Sequence, residues 1–128
     1  WHNPANAYEE LQQAITELKE FGVEISKDNP IVMDLPYYSG ADIYTNRAQT
    51  LKQSVEEALQ GCVVVNLVPC ADAQEWYYAG YYTKSGKDAN YTLYDVSGWG
   101  PDYGDPATYL DTMLGDGAGY MAKCLGLF

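Results

Sequence analysis

The chain has 128 residues, 47% of them hydrophobic, which is enough for one domain with its own core. A net charge of −11 gives an acidic surface that repels phosphate backbones, so nucleic acid is excluded as a partner. No apolar run approaches the roughly 20 residues of a membrane-spanning helix, and the first residues lack the features of a secretory leader. We therefore expect any export signal to lie outside this chain.

The first half of the chain predicts a helix, a strand and a second helix. Asn3 is a good N-cap for the first helix, which the glycine at position 22 is expected to close. The short apolar run 31–35, ending before a proline, predicts a strand. A second helix is expected to begin near Asp42 and to stop at Gly61, because apolar residues recur between them at helical spacing.

The second half continues the alternation. Residues 62–68 are apolar on both faces, as in an interior strand, and Pro69 is expected to end that strand. Asp72 can cap a third helix reaching Tyr81, residues 91–96 predict a third strand, and a last helix is expected around 106–110. The order α-β-α-β-α-β-α predicts a three-layer α/β/α domain with a mainly parallel sheet and helices on both faces.

The composition points to no metal or cofactor. The three cysteines, Cys62, Cys70 and Cys124, form no CxxC pair, and a single histidine cannot complete a usual zinc set. On one strand Cys62 and Cys70 would lie about 26 Å apart, too far for a disulfide, so we interpret the cysteines as small buried hydrophobes. The 13 tyrosines fit either β-rich packing or a groove that contacts ligand through aromatic faces.

One glycine-rich loop follows the third predicted strand. It reads Ser97-Gly98-Trp99-Gly100-Pro101-Asp102-Tyr103-Gly104-Asp105-Pro106. Ligands of open parallel sheets bind at the carboxyl ends of strands, which is where this loop is expected. The glycines at 98 and 100 allow another backbone to approach closely, Trp99 offers a flat wall, and Asp102 could pair with an ammonium group.

Several residues of the loop have a simpler structural interpretation. Asp105 is expected first of all as a helix-capping carboxylate, and Tyr103 is expected in the core more than in a ligand wall. For Asp102 a capping or turn role and a ligand-binding role are equally compatible with the residues alone.

The loop, continued through Ala107-Thr108-Tyr109-Leu110-Asp111, resembles the signature of oligopeptide-binding lipoproteins of Gram-positive ABC importers. Pro36-Tyr37-Tyr38, the helix segment from Arg47 to Glu56 and the valine-rich strand after it occur in the same order in that family. The resemblance covers nearly the whole chain. It implies a class II, "Venus flytrap" solute-binding protein in which two lobes close on a peptide.

The resemblance also implies roles for the loop residues. The aspartate of the family motif binds the α-ammonium group of the peptide, and that position is Asp102 here. Ser97, Gly98, Trp99 and Gly100 would run beside the extended peptide, whose main chain would hydrogen-bond to the loop as in strand addition. Such contacts are indifferent to the peptide's side chains.

Proteins of this family are several times longer than 128 residues. We therefore expect residues 1–128 to be a single domain, part of the second lobe, with the first lobe and the lipid-bearing cysteine elsewhere in the protein. The implied partners are an oligopeptide, that first lobe and the membrane permease of the importer. The implied location is extracytoplasmic, held at the membrane as a lipoprotein.

Two other functions stay open at this point. Some proteins of the same family sense peptide signals instead of importing nutrients, and the residues do not separate these roles. A hydrolase using Asp102 and Asp105 as an acid/base pair is the distant alternative. The sequence contains no nucleophile elbow, Walker loop or HExxH motif, so we expect no enzymatic activity.

Overall fold

The computed structural model describes residues 2–95, 100 and 103–113. The helices and strands are α1 (Pro4–Glu20), β1 (Ile31–Tyr38), α2 (Asp42–Ala58), β2 (Val63–Cys70), α3 (Ala73–Ala79) and α4 (Ala107–Asp111), with a 3₁₀ turn at Gly86–Asp88. The alternation of helices with two parallel strands confirms the predicted α/β class. No helix among these residues is long and apolar enough to cross a membrane.

Local signals set most helix ends as predicted. The side chain of Asn3 accepts a hydrogen bond from the N–H of Asn6 at 3.1 Å, and Gly22 follows α1 with a φ of 78°. Asp72 caps α3 through the N–H of Glu75 at 2.7 Å. The prediction that this helix reaches Tyr81 was wrong, because α3 ends at Ala79 with Gly80 as its C-cap.

The core lies between α2 and one face of the sheet. Leu35 of β1, Ala48 of α2 and Val65 of β2 are each at most 5% exposed and pack together. Val55 of α2 packs against this cluster, whereas Ile43 in the first turn of the same helix is 65% exposed and lies outside the core. α1 packs on α2 and has no direct packing with either strand.

Both strands run through a proline at which they were predicted to end. The N–H of Ile31 donates to the carbonyl of Cys62, so odd-numbered residues of β1 bond to even-numbered residues of β2. Pro36 and Pro69 occupy the opposite parity on their strands, where the nitrogen points away from the partner strand. A missing N–H costs no ladder bond at such positions, and the prolines are therefore tolerated inside the strands.

A third strand was predicted at 91–96. Residues 91–95 do not form a strand, and Val96 lies outside the described residues. The segment does lie beside β1, on the side away from β2. The carbonyl of Asp34 accepts from the N–H groups of both Thr92 and Leu93, and the N–H of Asp34 donates to the Thr92 hydroxyl. Because two consecutive amides share one carbonyl, the regular ladder of a strand cannot continue.

The outer edge of β2 is covered by α2 at its centre. The ammonium group of Lys52 donates to the carbonyl of Val65 at 2.8 Å, and Glu56 accepts from the N–H of the same residue at 3.1 Å. Lys52 and Glu56 are themselves an ion pair one helical turn apart. Both edge-facing backbone groups of Val65 are thus satisfied by one helix.

Candidate functional site

A pocket of about 360 Å³ opens at the carboxyl end of β1, the end where ligands of parallel sheets bind. The end of β1, the first three turns of α2, one residue of α3 and the segment after Thr92 enclose it. Its lining consists of Leu35, Tyr37, Tyr38, Tyr44, Arg47, Ala48, Leu51, Trp76, Leu93, Tyr94 and Asp95. The walls are therefore mainly aromatic and aliphatic.

Trp76 forms the rigid centre of these walls. Its side chain is buried, with 3% exposed, and its indole N–H donates to the carbonyl of Pro36 at 3.2 Å. The hydroxyl of Tyr94 in turn donates to the carbonyl of Trp76 at 2.7 Å. The rings of Tyr44 and Tyr94 lie 5.6 and 5.7 Å from the indole, within the range of favourable aromatic contacts.

Two glycines allow tyrosine rings to lie close to the backbone around the pocket. A Cβ atom at Gly40 would overlap the ring of Tyr38, which lies directly over that glycine. A Cβ atom at Gly80 would lie 2.6 Å from the ring of Tyr91, which stacks on Tyr94 with ring centroids 4.8 Å apart. The aromatic walls thus depend on the absence of side chains at two turns.

An ion pair forms the polar part of the rim. Arg47 of α2 donates to the carboxylate of Asp95 at 2.7 Å, and its guanidinium lies 5.6 Å from the centre of the Tyr44 ring. The hydrogen bond and the charge of Asp95 raise the pKa of Arg47 above its ordinary value. Both side chains are exposed to solvent in part, so their attraction is screened by water and salt and contributes little to stability.

Five residues of the loop were predicted to bind ligand. Four of them, Ser97, Gly98, Trp99 and Asp102, lie outside the described residues. Their roles stay predictions. Gly100 is described and exposed, and a Cβ atom built there would contact nothing within 4 Å. The loop begins two residues after Asp95, which is the last residue of the pocket lining in sequence.

Two residues at the end of the loop make hydrogen bonds within the chain. Asp105 accepts from the N–H of Ala107 at 2.8 Å, as predicted for a helix-capping carboxylate. Tyr103 was predicted in the core, but it is 51% exposed and its hydroxyl donates to Asp111 at 2.6 Å. Cys62 and Cys70 are both free thiols, and Cys124 lies outside the described residues.

The sequence did not predict the aromatic pocket. Its lining comes from four separate segments between Leu35 and Asp95, and only the large number of tyrosines indicated an aromatic surface. Within the described part of the chain, no group of three histidine, cysteine or acidic side chains is arranged to hold a metal ion.

Known proteins resemble the chain over nearly its whole length. Oligopeptide-binding protein AliB of Streptococcus pneumoniae is 32% identical over 127 residues, or 99% of this chain, and oligopeptide-binding protein SarA of Streptococcus gordonii is 34% identical over 110 residues. The chain spans 19% of the length of AliB and 16% of the length of SarA. No family model matches the chain.

The fold is that of a segment of a solved peptide complex. The crystal structure of Haemophilus influenzae OppA with the peptide RPPGFSPFR superposes with a TM-score of 0.62 over 88% of this chain and 20% of OppA, at 20% identity. This likeness confirms the predicted fold. The chain is therefore homologous to one segment of the oligopeptide-binding proteins, the family that its sequence resembles.

Proposed function

We propose that this chain is part of one lobe of an extracytoplasmic oligopeptide-binding receptor of an ABC importer, and that it supplies one wall of the peptide cleft without catalysing a reaction. The observation that carries the proposal is the alignment of 127 residues with an oligopeptide-binding protein. In the same proposal, a first lobe, a lipid anchor and contacts with a membrane permease belong to other parts of the system.

The geometry supports a binding wall. The pocket lies at the carboxyl end of β1, and the segment that closes its rim leads directly into the glycine-rich loop. The carboxylate of Asp105, one half of the acid/base pair that a hydrolase would need, is occupied with capping the N–H of Ala107. These features favour ligand contact over acid/base chemistry.

Within this proposal Asp102 binds the free amino terminus of the peptide. In the closed cleft the ion pair would be largely removed from water, and loss of one partner of such a pair typically costs about 2–5 kcal/mol. That corresponds to roughly 30-fold to several-thousand-fold in affinity. Asp102→Asn removes the charge and keeps the shape of the side chain.

The test is a thermodynamic cycle in the complete receptor. Wild type and D102N are each titrated with one peptide in its free-amine form and in its N-acetylated form. We expect acetylation to weaken binding strongly in the wild type and little in D102N. Asp28→Asn is the matched control: Asp28 is exposed and precedes the amino end of β1, at the opposite edge of the sheet from the pocket.

Circular dichroism establishes that each variant is folded. If acetylation weakens binding by the same factor in wild type and D102N, then Asp102 does not bind the amino group. If the complete receptor binds no oligopeptide in either form, the proposed function itself is wrong.

A further inference from the structure

We infer that the aromatic pocket at the end of β1 binds one aromatic side chain of the peptide, and so gives the receptor a side-chain preference in addition to main-chain binding. The inference rests on the proposed function. It concerns a different part of the chain from Asp102, and the two can be tested separately.

The size of the pocket fits a single ring. Its volume of about 360 Å³ is within the usual range for ligand pockets, and cavities of roughly 150 Å³ already accept benzene. A phenyl, phenol or indole group therefore fits with room for its connection to a main chain at the rim.

The polar groups of the pocket identify the class of side chain. Arg47 and Asp95 are paired with each other, the indole N–H of Trp76 is bonded to a backbone carbonyl, and the hydroxyl of Tyr94 donates to another. A cationic side chain would have to displace Arg47 from both Asp95 and the face of Tyr44. An uncharged side chain leaves the ion pair of Arg47 with Asp95 and the bond of Trp76 to its backbone carbonyl in place, although the chain as a whole is acidic.

The arrangement of the rings favours an aromatic side chain over an aliphatic one. Tyr38, Tyr44 and Trp76 form a continuous series in which successive ring centroids are 5.6 Å apart and the rings are inclined by 61° and 52°. An inserted ring can meet these walls edge to face, which adds to the gain from burial alone. An aliphatic group would obtain only the burial.

The pocket lining and the loop are close neighbours in the sequence. Asp95 lines the rim, and the loop proposed to hold the peptide main chain starts at residue 97. Side chains of an extended peptide project alternately to its two sides, so a peptide whose main chain is bound beside Asp95 would direct one side chain towards the pocket.

The test uses this chain and tripeptides blocked at both ends: acetyl-Ala-Phe-Ala-amide, and the same peptide with alanine or lysine at the centre. Because both ends are blocked, the phenylalanine and alanine peptides carry no ammonium group, and the comparison of these two does not involve binding of an ammonium group by Asp102. Burying a phenyl ring favours binding, so we expect the phenylalanine peptide to bind in the millimolar range, about tenfold more tightly than the other two. Amide signals of Tyr44, Leu51 and Leu93 should shift in NMR spectra.

Leu51→Glu places a charge at the lip of the pocket, where the leucine is 41% exposed, and should abolish the preference for phenylalanine. Ile43→Glu makes the same kind of change on the same helix at an exposed residue outside the lining, and should leave the preference intact. Equal binding of the three peptides, or an unchanged preference in L51E, would overturn the inference.

A second titration in the complete receptor distinguishes a ligand site from a packing site. If the preference for phenylalanine is present in this chain and disappears in the complete receptor, another segment of the receptor fills the pocket and the inference is wrong. The Asp102 cycle is unaffected by that result, so the proposed function would still stand.

Discussion

The indole of Trp76 and the carbonyl of Pro36 are joined by a buried hydrogen bond of 3.2 Å. The bond connects α3 to β1 at the position where the strand, because of its proline, offers a carbonyl but no N–H. It therefore attaches α3 to the sheet beside the aromatic pocket.

Trp76→Phe should destabilise the chain by about 1–3 kcal/mol, because the Pro36 carbonyl loses its donor in a buried place. Urea unfolding measures the change. Tyr78→Phe is the matched control on the same helix: Tyr78 is 60% exposed, so the loss of its hydroxyl should change stability by less than about 0.5 kcal/mol. Equal effects of the two variants would show that the hydrogen bond contributes nothing.

Gly80→Ala should destabilise the chain by about 1–3 kcal/mol, since the new methyl group would overlap the Tyr91 ring and force the stacked pair of Tyr91 and Tyr94 apart. The near-UV circular dichroism of the tyrosines should change with it. At Gly104 a Cβ atom contacts nothing within 4 Å, so Gly104→Ala should leave both the spectrum and the stability unchanged. If G80A has the stability and the near-UV spectrum of the wild type, the described packing of Tyr91 against Gly80 is wrong.

The thiol of Cys70 should react slowly. Burial raises its pKa above the ordinary value, and the carboxylates of Glu75 and Asp72 raise it further. In a Cys124→Ser background, iodoacetamide should modify the half-buried Cys62 before Cys70, which is 4% exposed. The rate for Cys70 should rise with pH at a higher midpoint in the folded chain than in the chain unfolded by urea.

The same shift has a consequence for stability. The folded thiol of Cys70 holds its proton more tightly than the unfolded thiol, so its contribution to stability is complete below the ordinary thiol pKa and is lost as the pH rises through the raised pKa. Identical pH profiles for the folded and unfolded thiol would contradict this assignment.

Free-amine oligopeptides at micromolar concentration should give no binding heat with this chain alone. The proposed ion pair between the peptide and Asp102 would then have no second wall to exclude water, and an exposed pair contributes roughly 0–1 kcal/mol. Isothermal titration calorimetry provides the measurement. Binding at micromolar affinity would mean that residues 1–128 hold a complete site and that the proposed division into two walls is wrong.

The parts of the fold that were predictable depend on neighbours in sequence. Asn3 and Asp72 cap helices through N–H groups three residues away, and the apolar run at 62–68 needs no partner to be identified as a strand. Whether a strand can pass through Pro36 depends instead on which way its nitrogen points, and pairing with β2 decides that. The irregular bonding of Thr92 to Asp34 likewise depends on a partner 58 positions away.

The candidate site divides in the same way. The loop from Ser97 to Asp102 is recognisable because its glycines, tryptophan and aspartate are contiguous, although its roles are still predictions. The aromatic pocket combines residues as far apart in sequence as Tyr38 and Asp95, so a local sequence pattern cannot predict it. Even the ion pair of Arg47 with Asp95 spans 48 positions.

The hydrogen bonds of Lys52 and Glu56 to the backbone of Val65 block the centre of the outer edge of β2 against pairing with a further strand. With the centre of its outer edge occupied by side chains of α2, β2 cannot accept a strand from a second molecule there, which protects this valine-rich strand from edge-to-edge aggregation. Any additional strand must join beyond β1, on the side where the segment carrying Thr92 already lies.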